Sequence, residues 1–236
     1  TGDCVSMGAV NVIDYVAANE IYRNGDAEVL RRAFPPFIYS AARVLVGGGR
    51  LRGAGAVGAW AAVVAQRYGT LAKDASGVPQ YSKAVAETWG NRSPSPAILA
   101  AAKPQVFKSV ARIRTYEDVR DAVANYYGCT FASSWVPSTG AKLADGVLWG
   151  VGQFSRKSGH QMAFIAVNDA ARRPRVYVIN SWGSGAHGKP QNGEPPGGFW
   201  IDADLVNKIL AQNDSFVFSQ FNGFPGQPRL NFNVIA

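Results

Sequence analysis

The hydrophobic pattern of the chain changes period once, just after residue 126, and this limits the folds open to it. Before that point apolar residues recur at helical spacing. Val5, Ala9, Val12, Ile13, Val16 and Ala17 predict a helix over residues 5–23, with Asp3 as its N-cap and Asn24-Gly25 as its stop. A short helix is expected over 26–33, ended by Pro35-Pro36, and another over Ala59–Tyr68, ended by Gly69. Residues 46–58 read as a glycine-rich loop. Residues 70–105 read as loop-rich, with Pro79, Pro94, Pro96 and Pro104. One more helix, Tyr116–Tyr126, follows Thr115 as cap. Beyond it the pattern is that of strands, at 130–136, 147–154, 161–167, 175–179 and 199–201. Asn168-Asp169 begins a hairpin turn. Asp202 caps a short helix to Leu210, and 216–218 closes the sheet. Helices first and strands later is the α+β order, not the alternation of a doubly wound parallel sheet.

Composition removes several classes of function. The 236 residues contain two cysteines, Cys4 and Cys129, and two histidines, His160 and His187. A disulfide scaffold, a zinc ribbon and a multi-histidine metal site are therefore not expected. No 18-residue apolar run is present, so no membrane span is predicted, and no signal peptide is read at the start. The formal charge is +8, but its arginines are scattered in small groups, from Arg31-Arg32 to Arg172-Arg173. A solvated basic surface is the favoured reading and nucleic-acid binding a minority one.

Three residues could carry chemistry. Cys4 would sit in the first turn of the first helix, where unpaired N–H groups and the helix dipole favour a thiolate. His160 opens an apolar strand after Gly159, where an imidazole can face a cleft as a base. Asn180 ends the strand Val176–Ile179, and its oxygen could accept from the imidazole and fix the ring. Trp182 could exclude water from that bond. Each has an ordinary reading too: a small core residue, a hairpin histidine, and a turn asparagine beside a core tryptophan. His187, in the polar loop Gly185-Ala-His-Gly-Lys-Pro190, is expected at the surface, and Cys129 as a buried free thiol.

The order Cys, His, Asn, with the segments Cys4–Asp14, Gly159-His160-Gln161, Asn180-Ser-Trp-Gly183 and Gly197-Gly-Phe-Trp-Ile201, resembles the papain-like (C1-type) cysteine peptidases. The resemblance implies a two-lobed α+β fold. A helical lobe over residues 1–105 would carry the nucleophile helix, and a strand-rich lobe over 106–236 the His and Asn. It implies Cys4 as nucleophile, His160 as base, Asn180 as its orienting partner and Trp182 as their shield. Gly55 and Ala56 would pair with the backbone of a peptide or protein substrate. No cofactor and no metal is expected. The chain departs from the family's pattern in three ways. The family's oxyanion glutamine, six residues before the nucleophile, falls before Thr1. Val5 stands where a tryptophan is typical. The Cys-to-His and Cys-to-Asn separations exceed the roughly 130–150 residues of the pattern, which implies insertions.

Two other readings stay open. One is a catalytically impaired papain-like structural or binding protein, possible as part of a larger assembly such as a virus particle. The other is a dinucleotide site, since Gly53-Ala-Gly-Ala-Val-Gly58 matches G-x-G-x-x-G before a helix, with Asp74 further on.

Overall fold

A computed structural model describes residues 2–24 and 30–219. Helix α1 (Cys4–Asn24) matches the expected first helix. Its apolar stripe, Val5, Ala9, Val12, Ile13 and Val16, is buried in one core cluster with Phe37, Ile38, Val64, Phe107 and Phe218. The helix expected over 26–33 is corrected in part. Residues 25–29 lie outside the described residues, Leu30–Arg32 are not helical, and Ala33 makes an isolated bridge to Ala72.

Pro35 and Pro36 open helix α2 (Pro35–Ser40) rather than end one, because proline at the first helical positions gives up only N–H groups that have no partner there. The helix continues through a π-helical turn, Ala41–Val46. Helix α3 (Gly58–Arg67) follows the glycine-rich loop. The stretch expected to be loop-rich holds two further short helices, α4 (Lys83–Gly90) and α5 (Pro96–Ala102). The hydroxyls of Ser82 and Ser95 cap them by accepting from Val85 and Ile98 N–H.

After strand β1 (Val110–Arg112) comes α6 (Tyr116–Ala124), whose start is a reciprocal capping box between Thr115 and Asp118. The remaining strands are β2 (Gly128–Ser133), β3 (Trp135–Ala144), β4 (Val147–Phe154), β5 (His160–Asn168), β6 (Arg175–Ile179), β7 (Gly198–Asp202) and β8 (Ser215–Phe218). Helix α7 (Ala203–Leu210) starts at its cap Asp202, as expected. The described strands form one sheet in the order β1-β8-β2-β5-β6-β7-β4-β3, antiparallel except for a parallel contact of β4 with β7.

The sheet's central strand is apolar on both faces because both are covered. On β5, Ala163 belongs to the cluster shared with α1, whereas Met162 and Phe164 belong to a second cluster with Val119, Val123, Val206 and Ile209. Gly8 lets α1 approach β5 closely. A Cβ there would lie 2.8 Å from Gln161 Cγ. No described helix is long and apolar enough to cross a membrane.

Candidate active site

The start of α1, the start of β5 and the loop before α3 meet around a cleft of about 540 Å³, lined among others by Cys4, Gly55, Ala56, His160, Gln161 and Asp214. Cys4 is the first residue of α1 and half-buried. The Asp3 carbonyl accepts from Met7 N–H at 3.1 Å and from Ser6 Oγ at 2.8 Å, while Tyr81 donates to the Asp3 carboxylate at 2.9 Å. The Gln161 side chain ties β5 to the same turn by donating Nε2–H to the Val5 carbonyl at 2.9 Å.

His160 and Asn180 are both buried and joined, with Nε2 of the imidazole 2.9 Å from Asn180 Oδ1. Ser181 N–H donates to the same oxygen at 2.8 Å. The oxygen is thus fixed as the acceptor, and Nε2 carries the imidazole proton. Nδ1 is then the nitrogen left with a lone pair. Trp182, 41% exposed, covers this bond, with its ring centroid 5.0 Å from that of His160. One face of the indole shields and the other meets solvent, as an amphipathic ring at a rim does.

Burial pushes the Cys4 thiol up, and the nearby Asp3 charge adds to this. The backbone N–H groups around the sulfur, led by that of Gln161, pull the other way. Burial pushes the His160 imidazole down, against its bond to Asn180. Both directions favour the neutral forms of the thiol and the imidazole, which line the same cleft.

His187 corrects an expectation. It is 1% exposed rather than a surface residue, and its Nε2 lies 2.9 Å from Asn180 Nδ2. The Trp182 ring stacks on it at 5.9 Å and Phe199 meets it edge-on at 4.6 Å. Its loop is pinned to β3 by Gly140 N–H donating to Ala186 O and Ala141 N–H to His187 O. Cys129 is buried and free, as expected, and burial pushes its thiol well above the ordinary range.

The glycine-rich loop is built by a residue the sequence reading passed over. Arg43, 5% exposed in the π-helical turn, donates to the carbonyls of Gly90 (2.8 Å), Gly53 (2.7 Å), Gly55 (2.5 Å) and Leu51 (3.3 Å). Tyr39 lies under the guanidinium at 5.2 Å and its hydroxyl accepts from Gly55 N–H at 3.0 Å. Gly55, at φ +106°, holds a conformation that side chains rarely adopt.

The dinucleotide reading fails on this geometry. The loop follows a helix, not a strand, and the N–H groups of Gly58 and Ala59 at the start of α3 are taken by the Asp214 carboxylate at 2.9 and 2.7 Å. A phosphate would have to displace that carboxylate. Asp74 is held by Arg31 at 2.8 Å.

No protein-family model matches the chain, and no curated protein matches it in sequence. Solved structures do match it in shape. Xylellain, a cysteine protease from Xylella fastidiosa, aligns with a TM-score of 0.62 at 15% identity, over 92% of this chain and 79% of that one. Digestive procathepsin L 3 of Tenebrio molitor larval midgut aligns at 0.57 and 12% identity, over 92% of this chain and 63% of that one. Procathepsin B S9 from Trypanosoma congolense aligns at 0.57 and 14% identity, over 92% and 68%. At these identities the likeness speaks for the backbone alone, and it agrees with the α+β element order and the cleft: the chain has the papain-like fold.

Proposed function

We propose that the protein is a cysteine peptidase that cleaves peptide bonds through Cys4, His160 and Asn180. The observation that carries this reading is the His160–Asn180 bond at 2.9 Å, with His160 lining the same cleft as Cys4 at the start of α1. The cleft would run between a helical lobe, residues 1–105, and a strand-rich lobe, residues 106–236.

In this mechanism His160 Nδ1 takes the thiol proton as Cys4 Sγ attacks the peptide carbonyl carbon. Since burial favours the neutral form of each group, the proton would move with the attack. The carbonyl oxygen gains the negative charge, and the Cys4 N–H at the helix start is positioned to receive it. Collapse of the tetrahedral intermediate breaks the C–N bond, and His160 returns its proton to the leaving amine. The thioester that remains is hydrolysed by a water that His160 deprotonates, and Cys4 recovers its proton as the acid leaves. Asn180 holds the imidazole with its proton on Nε2 throughout, and Trp182 keeps water from that bond.

Substrate backbone would lie along Gly55 and Ala56. Gly55 N–H is already donated to Tyr39 and its carbonyl already accepts from Arg43, so the pairing would fall mainly to the Ala56 backbone. The test is turnover of a mixed peptide library by the wild type and by Cys4→Ala. Cleavage by the wild type alone supports the reading, and cleavage by both refutes it. Iodoacetamide should modify Cys4 and spare Cys129.

A second reading, a binding or structural protein on the same fold, is favoured by one observation. Burial and Asp3 both raise the Cys4 thiol. Binding of peptides without turnover, equal in the wild type and Cys4→Ala, is its expected signature.

A further inference from the structure

We propose that His187 is a positioning residue that, together with Ser181 N–H, holds the Asn180 amide in one orientation and so sets which nitrogen of His160 carries the proton. The inference rests on the reading of His160 as the base. A carboxamide is close to symmetric in shape, and only its hydrogen-bond partners decide which end is oxygen. Asn180 has three. Ser181 N–H is always a donor, and it faces Oδ1 at 2.8 Å. His160 Nε2 faces the same oxygen at 2.9 Å, and so must donate. His187 Nε2 faces Nδ2 at 2.9 Å, and so must accept. The result is a one-way relay: His160 Nε2–H donates to Asn180 Oδ1, and Asn180 Nδ2–H donates to His187 Nε2. The proton of neutral His187 is then on Nδ1, which has no hydrogen-bond partner among the described residues, although the Gly140 and Ser138 backbone nearby favours a protonated ring.

A second proton on His187 would set an N–H against the Asn180 NH₂. Turning the amide over removes that clash at the cost of the Ser181 N–H bond, and presents NH₂ to His160. His160 must then accept at Nε2 and carry its proton on Nδ1, where it cannot take one from Cys4. The pocket disfavours charge on His187. Trp182 and Phe199 pack on the ring, and among the described residues the titratable group that bears on it is His160. Burial is the main cause that holds the His187 imidazole low.

The chain has only two histidines, so ¹⁵N spectra of the full chain read both directly. In the wild type His160 should show the Nε2–H form and His187 the Nδ1–H form. In His187→Leu, Asn180 keeps Ser181 N–H on its oxygen but loses its acceptor, and His160 should gain a measurable population of the Nδ1–H form. In His187→Gln, whose oxygen can accept from Nδ2, the Nε2–H form should return. Peptide turnover should follow, with kcat down about five- to a hundredfold in His187→Leu, KM little changed, and kcat largely restored in His187→Gln. An unchanged His160 tautomer in folded His187→Leu overturns the proposal. If His187→Leu does not fold, acid titration of the wild type decides. His160 should leave the Nε2–H form as His187 charges, and a charged His187 beside an unaltered Nε2–H His160 overturns it. Tautomers that shift as described, with no turnover in any variant, keep the positioning role and reject the peptidase.

Discussion

Arg43→Met removes the guanidinium that organises the cleft's glycine-rich loop and keeps most of the stem's volume. The bonds at stake are those to Gly90, Gly53 and Gly55, since the contact with Leu51 is long. Hydrogen bonds to a charged donor contribute about 1.5–3 kcal/mol each when the partner stays dry. Only the Gly90 residue is buried, so its carbonyl bears the full penalty, whereas Gly53 is exposed and Gly55 half-buried and water can replace the lost donors. Relief of the buried guanidinium's own desolvation offsets part of this. The net loss of global stability should be about 2–3 kcal/mol, read as a lower urea midpoint at an unchanged slope. The loop itself loses two of the bonds that close it, about 1–2 kcal/mol where water can replace the donor, which raises its open population about tenfold. Trypsin reads that population at Arg50 and Arg52, which stand exposed in the loop. Cleavage there should accelerate by a similar factor in native conditions. A variant as stable as the wild type, with trypsin cleavage at Arg50 and Arg52 unchanged, would refute the claim that Arg43 holds this wall of the cleft.

Three further outcomes follow from the geometry. Gly8→Ala places a Cβ 2.8 Å from Gln161 Cγ and 3.3 Å from the Gln161 backbone, so α1 and β5 must part. It should cost about 1–3 kcal/mol in denaturant unfolding and slow alkylation of Cys4. Stability should fall with pH below the ordinary imidazole value of 6.5, because burial depresses both His160 and His187. The unfolded chain binds protons that the native one refuses, so the histidines' contribution is complete above 6.5 and is lost as pH drops towards their lower native values. Calorimetry between about pH 7.5 and 5.5 should show this at no more than about 1.4 kcal/mol per pH unit per histidine, and His187→Gln should flatten it. Asp214→Ala frees the N–H groups of Gly58 and Ala59 and should cost about 1–2 kcal/mol in urea unfolding, the usual loss of a helix cap.

The elements legible in the sequence are those whose signal is local. Strands β4 and β6 begin and end where their apolar runs do, and Thr115 and Asp202 announce α6 and α7 by cap chemistry. The misreadings share a cause, which is that a residue type has opposite meanings in different places. Pro35-Pro36 was expected to stop a helix and instead starts one. Pro137 and Gly140 hid β3, yet they fall at the irregular stretch of its pairing with β4, between Pro137 and Ala141, an edge position where a missing N–H is tolerated. In α4 and α5 the buried apolar set is too small to make a periodic stripe, and only the serine caps mark them.

The same division applies to the site. Cys4, His160 and Asn180 could be picked out because each stands at the end of an element with a readable pattern. Arg43, Asp214 and His187 could not, because each acts on a partner that the chain brings in from elsewhere or turns inward without a pattern. Arg43 reaches forward to Gly90, and Asp214 reaches back to Gly58. His187 is seven residues from Asn180, in a loop whose glycines and lysine read as solvent-facing. What pulls it inward is the bulged edge of β3, which fixes the loop's backbone on either side of the imidazole, and the Trp182 and Phe199 rings that close over it. A buried imidazole is costly to charge, so the same enclosure that hides His187 also keeps it an acceptor. Burial thus works in one direction on the whole group. It disfavours charge on His187, lowers His160 and raises Cys4, which favours the protonation states from which the proposed mechanism starts. Alkylation of Cys4 should therefore climb with pH towards the raised thiol value, without the acidic plateau that a preformed thiolate–imidazolium pair would give.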